Sequence, residues 1–232
     1  MPKASAIIIG NEILNGKVQD ANSQTLARVL FHCGVKLALI ETIPDQAETI
    51  IATVQKHAQA FDFVFTSGGI GSTHDDITYE AVARAFDRKL ELHPEALKRY
   101  TAFYGQEPNL ARQKMLLLPE GAEILWSPPL WIPTVFINPV YVLPGIPELF
   151  TEILNSIKTR FTYRPFERVL IYSNRAEGDL AFDLEQVQMR YPDLEIGSYP
   201  QNKEAPHRVM LSIEGQEASR VKAAAAEIQE FL

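Results

Sequence analysis

The sequence predicts an α/β fold: a three-layer α/β/α arrangement around a mostly parallel sheet, followed by a small α+β subdomain. Two observations carry this. Through residue 86, short apolar runs alternate with stretches of helical periodicity, joined by short loops. Such alternation gives parallel strands linked by right-handed crossovers, with helices on both faces. Around residues 162–165 the pattern changes to strand, helix, strand, strand, helix. The division falls between 1–162 and 163–232.

Residues 4–9 (ASAIII) read as a buried strand ending at Gly10, followed by the loop NEILNGKVQ. Asp20 is placed to cap a helix carrying Leu26, Ala27, Leu30 and Phe31, which stops at Cys33 and Gly34. A second strand covers 35–43. Asp45 opens the next helix, with Glu48 three residues on in a capping-box arrangement. Residues 61–67 (FDFVFTS) form the third strand. A glycine loop follows, then a helix over 75–86 with Ile77, Ala81, Val82, Ala85 and Phe86 on one face. Residues 93–115 read as helical with a break at 105–109. Short strands follow at 122–125, 133–137 and 140–143, then LPGIPE and a helix over 147–160. The second unit reads as strand 167–173, helix 176–190, strands 194–199 and 207–213, and helix 217–231. The loops after the first three strands (10–19, 44–45 and 68–75) all lie at the carboxyl edge of the sheet, where ligands bind in this architecture.

Composition narrows the partners. The net charge is −7 and there is no Lys/Arg run, which argues against a nucleic-acid face. An anionic ligand therefore needs backbone NH groups, a helix terminus or a metal ion. The single cysteine, Cys33, allows no intrachain disulfide and fits a reducing compartment. The apolar start is too short for a signal peptide, and no segment reaches the ~18 apolar residues of a membrane span. A cytoplasmic protein with no membrane partner is expected.

The stretch GGIGSTHDD, residues 68–76, reads two ways. Its glycines make a tight strand-to-helix turn, with Asp75 and Asp76 as first-turn acids favoured by the positive helix end. Alternatively, the glycine NH groups line an anion-binding concavity, and the aspartates hold a divalent cation that bridges them to phosphate. It is neither a Walker loop, since no GK[ST] follows, nor the dinucleotide GxGxxG.

GGIGSTHDDITYEAVARAF resembles the signature of the molybdopterin-binding (molybdenum-cofactor biosynthesis) domain. It is most similar to the branch found in competence/damage-inducible protein A and in the amino-terminal domain of eukaryotic FAD synthases. IIIGNEILNGKVQDAN, IPD at 43–45, LPGIPE at 143–148 and GSYP at 197–200 match in the same order, so the resemblance covers nearly the whole chain. The family usually has proline after the third glycine; here it is Ser72, which loosens the turn without removing an NH donor. Neither the amidohydrolase-like domain of the competence proteins nor the FAD-synthesising domain is expected here.

The resemblance implies roles. Asp76 occupies the functional acid of the GGxGxxxxD pattern and Asp45 the acid after the second strand; both are the expected catalytic residues. Glu12, in the G-N-E motif, joins Asp75 and Asp76 as expected ligands of a divalent cation, Mg²⁺, Mn²⁺ or Co²⁺. Gly68, Gly69, Gly71, Ser72, Thr73 and Gly145 are the expected binders of phosphate or pterin. Asp45 reads equally well as a simple helix cap. Asn109, Arg112 and Lys114 are candidate sources of positive charge. Trp131 reads as edge packing or as a stacking partner for a ring. The implied activity is metal-dependent hydrolysis of a nucleotide diphosphate such as that of ADP-ribose or FAD. The alternative is molybdopterin binding, with or without adenylyl transfer to it. A homo-oligomer, dimer or trimer, is implied as well.

Overall fold

Alternation along the first strand builds both faces of the sheet. β1 (Lys3–Ile9) contributes Ile7 and Ile9 to one apolar cluster and Ala4, Ala6 and Ile8 to the opposite one, because successive strand side chains point to opposite sides. The computed structural model describes residues 1–202 and 204–232, and these divide into two compact units, Met1–Tyr163 and Arg164–Leu232.

In the first unit β1 is followed by a single helical turn, α1 (Asn11–Leu14), then α2 (Asn22–His32), β2 (Lys36–Ile43), α3 (Ala47–Ala60), β3 (Phe63–Ser67) and α4 (Thr78–Ala85). Next come β4 (Leu90–Leu92), α5 (Pro94–Tyr104), α6 (Leu110–Gln113), a 3-10 turn at Lys114–Leu116 and β5 (Leu117–Pro119). β6 (Glu123–Leu125), β7 (Thr134–Ile137), β8 (Val140–Leu143) and α7 (Pro147–Ile157) complete it, with a 3-10 turn at Lys158–Phe161. The main sheet runs β2-β1-β3-β8-β7-β6. Its first four strands are parallel, whereas β7 and β6 pair antiparallel.

Helices cover both faces, as the alternation predicts. Ile50 and Val54 of α3 and Ala81 and Val82 of α4 close one side; Leu26 and Leu30 of α2 and Phe150, Ile153 and Leu154 of α7 close the other. Asp20 lies one residue before the N-cap position of α2, which is Ala21, and its Oδ1 accepts from the NH groups of Asn22 (3.0 Å) and Ser23 (3.1 Å). The break after α5 falls at Gly105, which takes the left-handed conformation (φ 69°).

The second unit holds β9 (Glu167–Ser173), α8 (Glu177–Arg190), β10 (Glu195–Pro200), β11 (Val209–Gly215) and α9 (Ala218–Gln229). Its antiparallel sheet runs β10-β11-β9. Leu180, Leu184 and Val187 of α8 and Val221, Ala224 and Ile228 of α9 pack with it around its own core. Among the described residues no helix is long and apolar enough to cross a membrane.

Several local expectations are corrected. The helix expected over 75–86 begins at Thr78. Asp76 Oδ2 instead accepts from the Thr73 NH (2.8 Å) and hydroxyl (2.5 Å), a local turn that competes with helix. Asp45 does not cap α3: the N-cap position is Gln46, without a side-chain bond. Asp45 Oδ2 accepts from the Asn11 NH at 2.8 Å, so a tertiary partner outbids the local one. The third strand starts at Phe63, because Phe61 still closes α3 through its NH bond to His57 O. Nothing in the sequence pattern announces the β4–β5 pair.

Candidate functional site

The ends of β1, β3 and β8 converge on glycines. Gly68 (φ 106°) and Gly69 (φ 67°) occupy the left-handed region, which L side chains adopt only under strain. A Cβ on Gly68 would overlap the Ile9 carbonyl oxygen, and one on Gly145 would lie 3.3 Å from Gly68 Cα. Three backbone segments thus meet here, too close at Gly68 for any side chain and tightly at Gly145. The loop is tied at both ends: Gly68 N donates to Leu143 O (3.2 Å), and Thr78 donates through its hydroxyl to Gly68 O (2.9 Å) and through its NH to Gly69 O (2.9 Å). The Gly68 NH is therefore committed. Those of Gly69, Ile70, Gly71 and Ser72 have no hydrogen-bond partner among the described residues.

Over this floor lies a cavity of about 400 Å³, within the size range of small-molecule sites. Its lining combines polar groups, Glu12, Gly69, Gly71 and Asp76, with apolar ones, Met115, Trp131, Ile132 and Leu149. Both acids fold against glycines. The Glu12 carboxylate lies where a Cβ on Gly10 would sit, and a Cβ on Gly71 would come within 2.6 Å of Asp76 Oδ2. Asp76 is fixed by Thr73, and Lys114 Nζ in turn donates to the carbonyls of Thr73 (2.9 Å) and His74 (3.5 Å). Lys114 thereby straps the loop from the opposite wall and brings a cation beside it.

The aromatic side chains of the lining are held by their neighbours. Trp131 is 8% exposed and meets Tyr100 and Tyr104 edge-on, with ring centroids at 5.0 and 5.7 Å. Arg112 donates to the Tyr100 hydroxyl (3.2 Å) and lies over the Tyr104 ring. Tyr79 donates to Pro133 O at 3.4 Å, and burial pushes its phenol well above the ordinary value.

Of the expected residues, Glu12, Gly68, Gly69, Gly71, Asp76 and Gly145 come together around this cavity. Ser72 and Thr73 stand behind it, Thr73 as the clamp on Asp76. Asp75 lies outside its wall. Asp45 also lies outside and reaches the site only by holding the Asn11 NH, at the start of the turn that carries Glu12. Among the described residues no three His, Cys, Asp or Glu gather into a ready-made metal cluster. Of the expected trio Glu12, Asp75 and Asp76, it is Glu12 and Asp76 that line the cavity. Sequence reasoning missed Tyr79, Met115, Ile132 and Leu149. Only Tyr79 carries a signal, three residues before Val82 on the buried face of α4; the others belong to separate segments that only the folded chain brings together.

A mostly parallel sheet with a ligand-sized cavity at its carboxyl edge defines an α/β small-molecule-binding domain. Residues 5–162 match the family model described as "Probable molybdopterin binding domain", and the chain belongs to that family. Residues 165–232 match a second model, "FAD synthase, middle domain". A protein of Archaeoglobus fulgidus is 35% identical over 226 residues, covering 97% of this chain and 96% of that one. A "Probable FAD synthase" of Caenorhabditis elegans is 29% identical and covers 99% of this chain; the chain spans 50% of that relative's length. The crystal structure of CinA from Thermoplasma acidophilum matches with a TM-score of 0.65 at 27% identity, over 69% of this chain and 98% of that one. The family read from the glycine-loop motif is the one these comparisons show.

Proposed function

We propose that the chain hydrolyses the diphosphate of a nucleotide such as ADP-ribose or FAD, releasing AMP, with the help of a divalent cation. The observation that carries this is one cavity whose lining combines two carboxylates, a glycine loop with unpaired NH groups and the aromatic side chains Tyr79 and Trp131. The donor set fits a hard cation: Glu12 and Asp76 supply oxygens, and such ions take one or two carboxylates and complete their shell with phosphate and water. Bound there, Mg²⁺, Mn²⁺ or Co²⁺ would lower the pKa of a bound water and neutralise the diphosphate. The NH groups of Gly69, Ile70 and Gly71 are placed to hold phosphoryl oxygens as charge develops on them. Trp131, Ile132 and Met115 offer an apolar seat for a ring. Thr73 and Lys114 keep Asp76 in place, and Asp45 keeps the turn of Glu12 in place.

The match of residues 165–232 to the FAD synthase middle domain supports a nucleotide rather than a free pterin as ligand. The description of the model matched by residues 5–162 supports the second reading, molybdopterin binding with or without adenylyl transfer. The experiment is incubation of the purified chain with ADP-ribose and, separately, FAD, in Mg²⁺, Mn²⁺ or Co²⁺, with chromatography for AMP. Metal-dependent AMP that disappears in Asp76→Asn supports hydrolysis. No AMP with any metal sinks it and leaves the pterin reading, for which molybdopterin is the ligand to titrate. A homo-oligomer, dimer or trimer, is also proposed; a monomeric mass by light scattering overturns that.

A further inference from the structure

One short segment carries two cations, Arg112 and Lys114, beside the site. α6 (Leu110–Gln113) and the 3-10 turn after it (Lys114–Leu116) run as a single stretch. Asn109 caps it, its Oδ1 accepting from the Arg112 NH at 2.9 Å, so this side chain serves the backbone. The far end is anchored: Leu116 is fully buried and its carbonyl accepts from the His93 NH (2.9 Å). Between these anchors Met115 lines the cavity, whereas Arg112 and Lys114 do not. Both cations donate to protein groups instead.

Lys114 goes to the acid. Its Nζ binds the carbonyls of Thr73 and His74, and Thr73 in turn clamps Asp76. Arg112 goes to the aromatic lining. It donates to the hydroxyl of Tyr100, a fully buried residue, and its guanidinium lies 5.6 Å from the centroid of the Tyr104 ring, within the range of a cation–π contact. Tyr100 and Tyr104 sit one turn apart on α5, with ring centroids 4.5 Å apart. Both meet Trp131 edge-on, at interplanar angles of 87° and 69°. Tyr104 is the last residue of α5 and is 44% exposed, and the guanidinium covers it. A lysine at 112 could still answer the Tyr100 hydroxyl, but an ammonium has no plane to lay on a ring while doing so.

We infer that Arg112 is a positioning residue that sets the affinity for the ring of the ligand, acting through Tyr100 and Tyr104 on Trp131 and making no contact with phosphate. This inference rests on the nucleotide reading given above and adds a division of labour to it. Arg112 governs how tightly the ring is held, and Lys114 governs how well Asp76 is aimed. The two residues that the sequence offers as counter-charges for an anion are both committed elsewhere, and the diphosphate is left to the metal ion and the loop NH groups.

The test is steady-state hydrolysis of ADP-ribose by the full chain, in whichever of Mg²⁺, Mn²⁺ or Co²⁺ releases most AMP. Arg112→Lys is expected to raise KM about fivefold to tenfold, the scale of one lost cation–π contact, with kcat changed by less than about twofold. That split marks lost ring binding rather than lost transition-state stabilisation. Lys114→Met is expected to do the opposite, lowering kcat about tenfold through a loosened Asp76 while KM stays nearly constant. Inorganic pyrophosphate, a probe with no ring, should inhibit wild type and Arg112→Lys equally. Tyr104→Leu should reproduce the rise in KM, and adding Arg112→Lys to it should raise KM no further, because two residues on one path do not act additively. An unchanged KM in Arg112→Lys, a fall in its kcat instead, or weaker inhibition of it by pyrophosphate overturns the inference while leaving the nucleotide reading intact. No AMP from the wild-type protein overturns the nucleotide reading and this inference with it.

Discussion

Ser5, His57 and Glu41 form a hydrogen-bonded chain on the flank of the main sheet, and Glu12 and Asp76 form a pair of acids at its carboxyl edge. The first cluster has the order of a nucleophile, base and acid: His57 Nδ1 lies 2.9 Å from Ser5 Oγ and Nε2 lies 2.9 Å from Glu41 Oε2. Ser5 and His57 are nevertheless completely buried, and the cavity described above does not include them. Both ring nitrogens are engaged, and Lys56 (3.1 Å) adds a second partner for Glu41. The edge acids make no such closed set and face open space. The difference teaches where to look for chemistry. Polar groups that satisfy one another inside the protein tie β1, β2 and α3 together, whereas groups with spare capacity beside a cavity are available to a ligand.

The comparison can be broken most directly at Asp76. Asp76→Asn should lower turnover by about 10²–10³-fold or more, the scale of losing one charge-stabilising group in an active site. Its urea midpoint should stay put, because the amide oxygen can still accept from Thr73. Turnover within a few-fold of wild type would place the reaction elsewhere. His57→Ala should do the reverse, costing about 3 kcal/mol of stability through a cavity and two orphaned partners. The rate of the folded fraction should not change; a selective loss of rate at full folding would show that the buried chain takes part in the chemistry.

Gly71→Ala sharpens the contrast. The new Cβ displaces the Asp76 carboxylate, which lies within 2.6 Å of it, at little cost to the core. A displacement of this kind is expected to reduce kcat by about tenfold to a hundredfold, read against an unchanged thermal melt. The smallest effect belongs to Glu41. Its carboxyl is held below the ordinary 4.5, first by the hydrogen bond from His57 and then by that from Lys56. A lowered carboxylate pKa favours the folded state above the unfolded value, and that contribution disappears as pH falls below about 4.5 through the folded-state value. Acid titration of wild type and Glu41→Gln should show the mutant with a shallower loss of stability across that window; parallel curves would remove Glu41 from the account.

Much of the first unit is legible in the sequence because its signals are local. The run at 4–9 and the amphipathic helices state their own period, and their alternation implies parallel strands. The convergence of the first and third loops on one site follows from that topology alone. What stays hidden depends on partners distant in the chain. The antiparallel edge is the exception: the two-residue turn at Asn138–Pro139 between β7 and β8 sets it locally. Asp45 looks like a helix cap until the Asn11 NH claims it, and Asp76 looks helical until Thr73 does. The apolar wall is assembled from residues 115, 131, 132 and 149, and no local pattern links them.

The crowding at Gly68 and Gly145 has a consequence for reading other chains of this fold. A side chain at Gly68 would force strand ends apart whether or not a ligand ever binds, so a lineage that gave up the chemistry would still keep that glycine. Glu12 and Asp76 hold little of the sheet in place, and in such a lineage they would be free to drift. Among distant descendants it is the two acids, more than the glycine signature, that should separate working catalysts from retired ones.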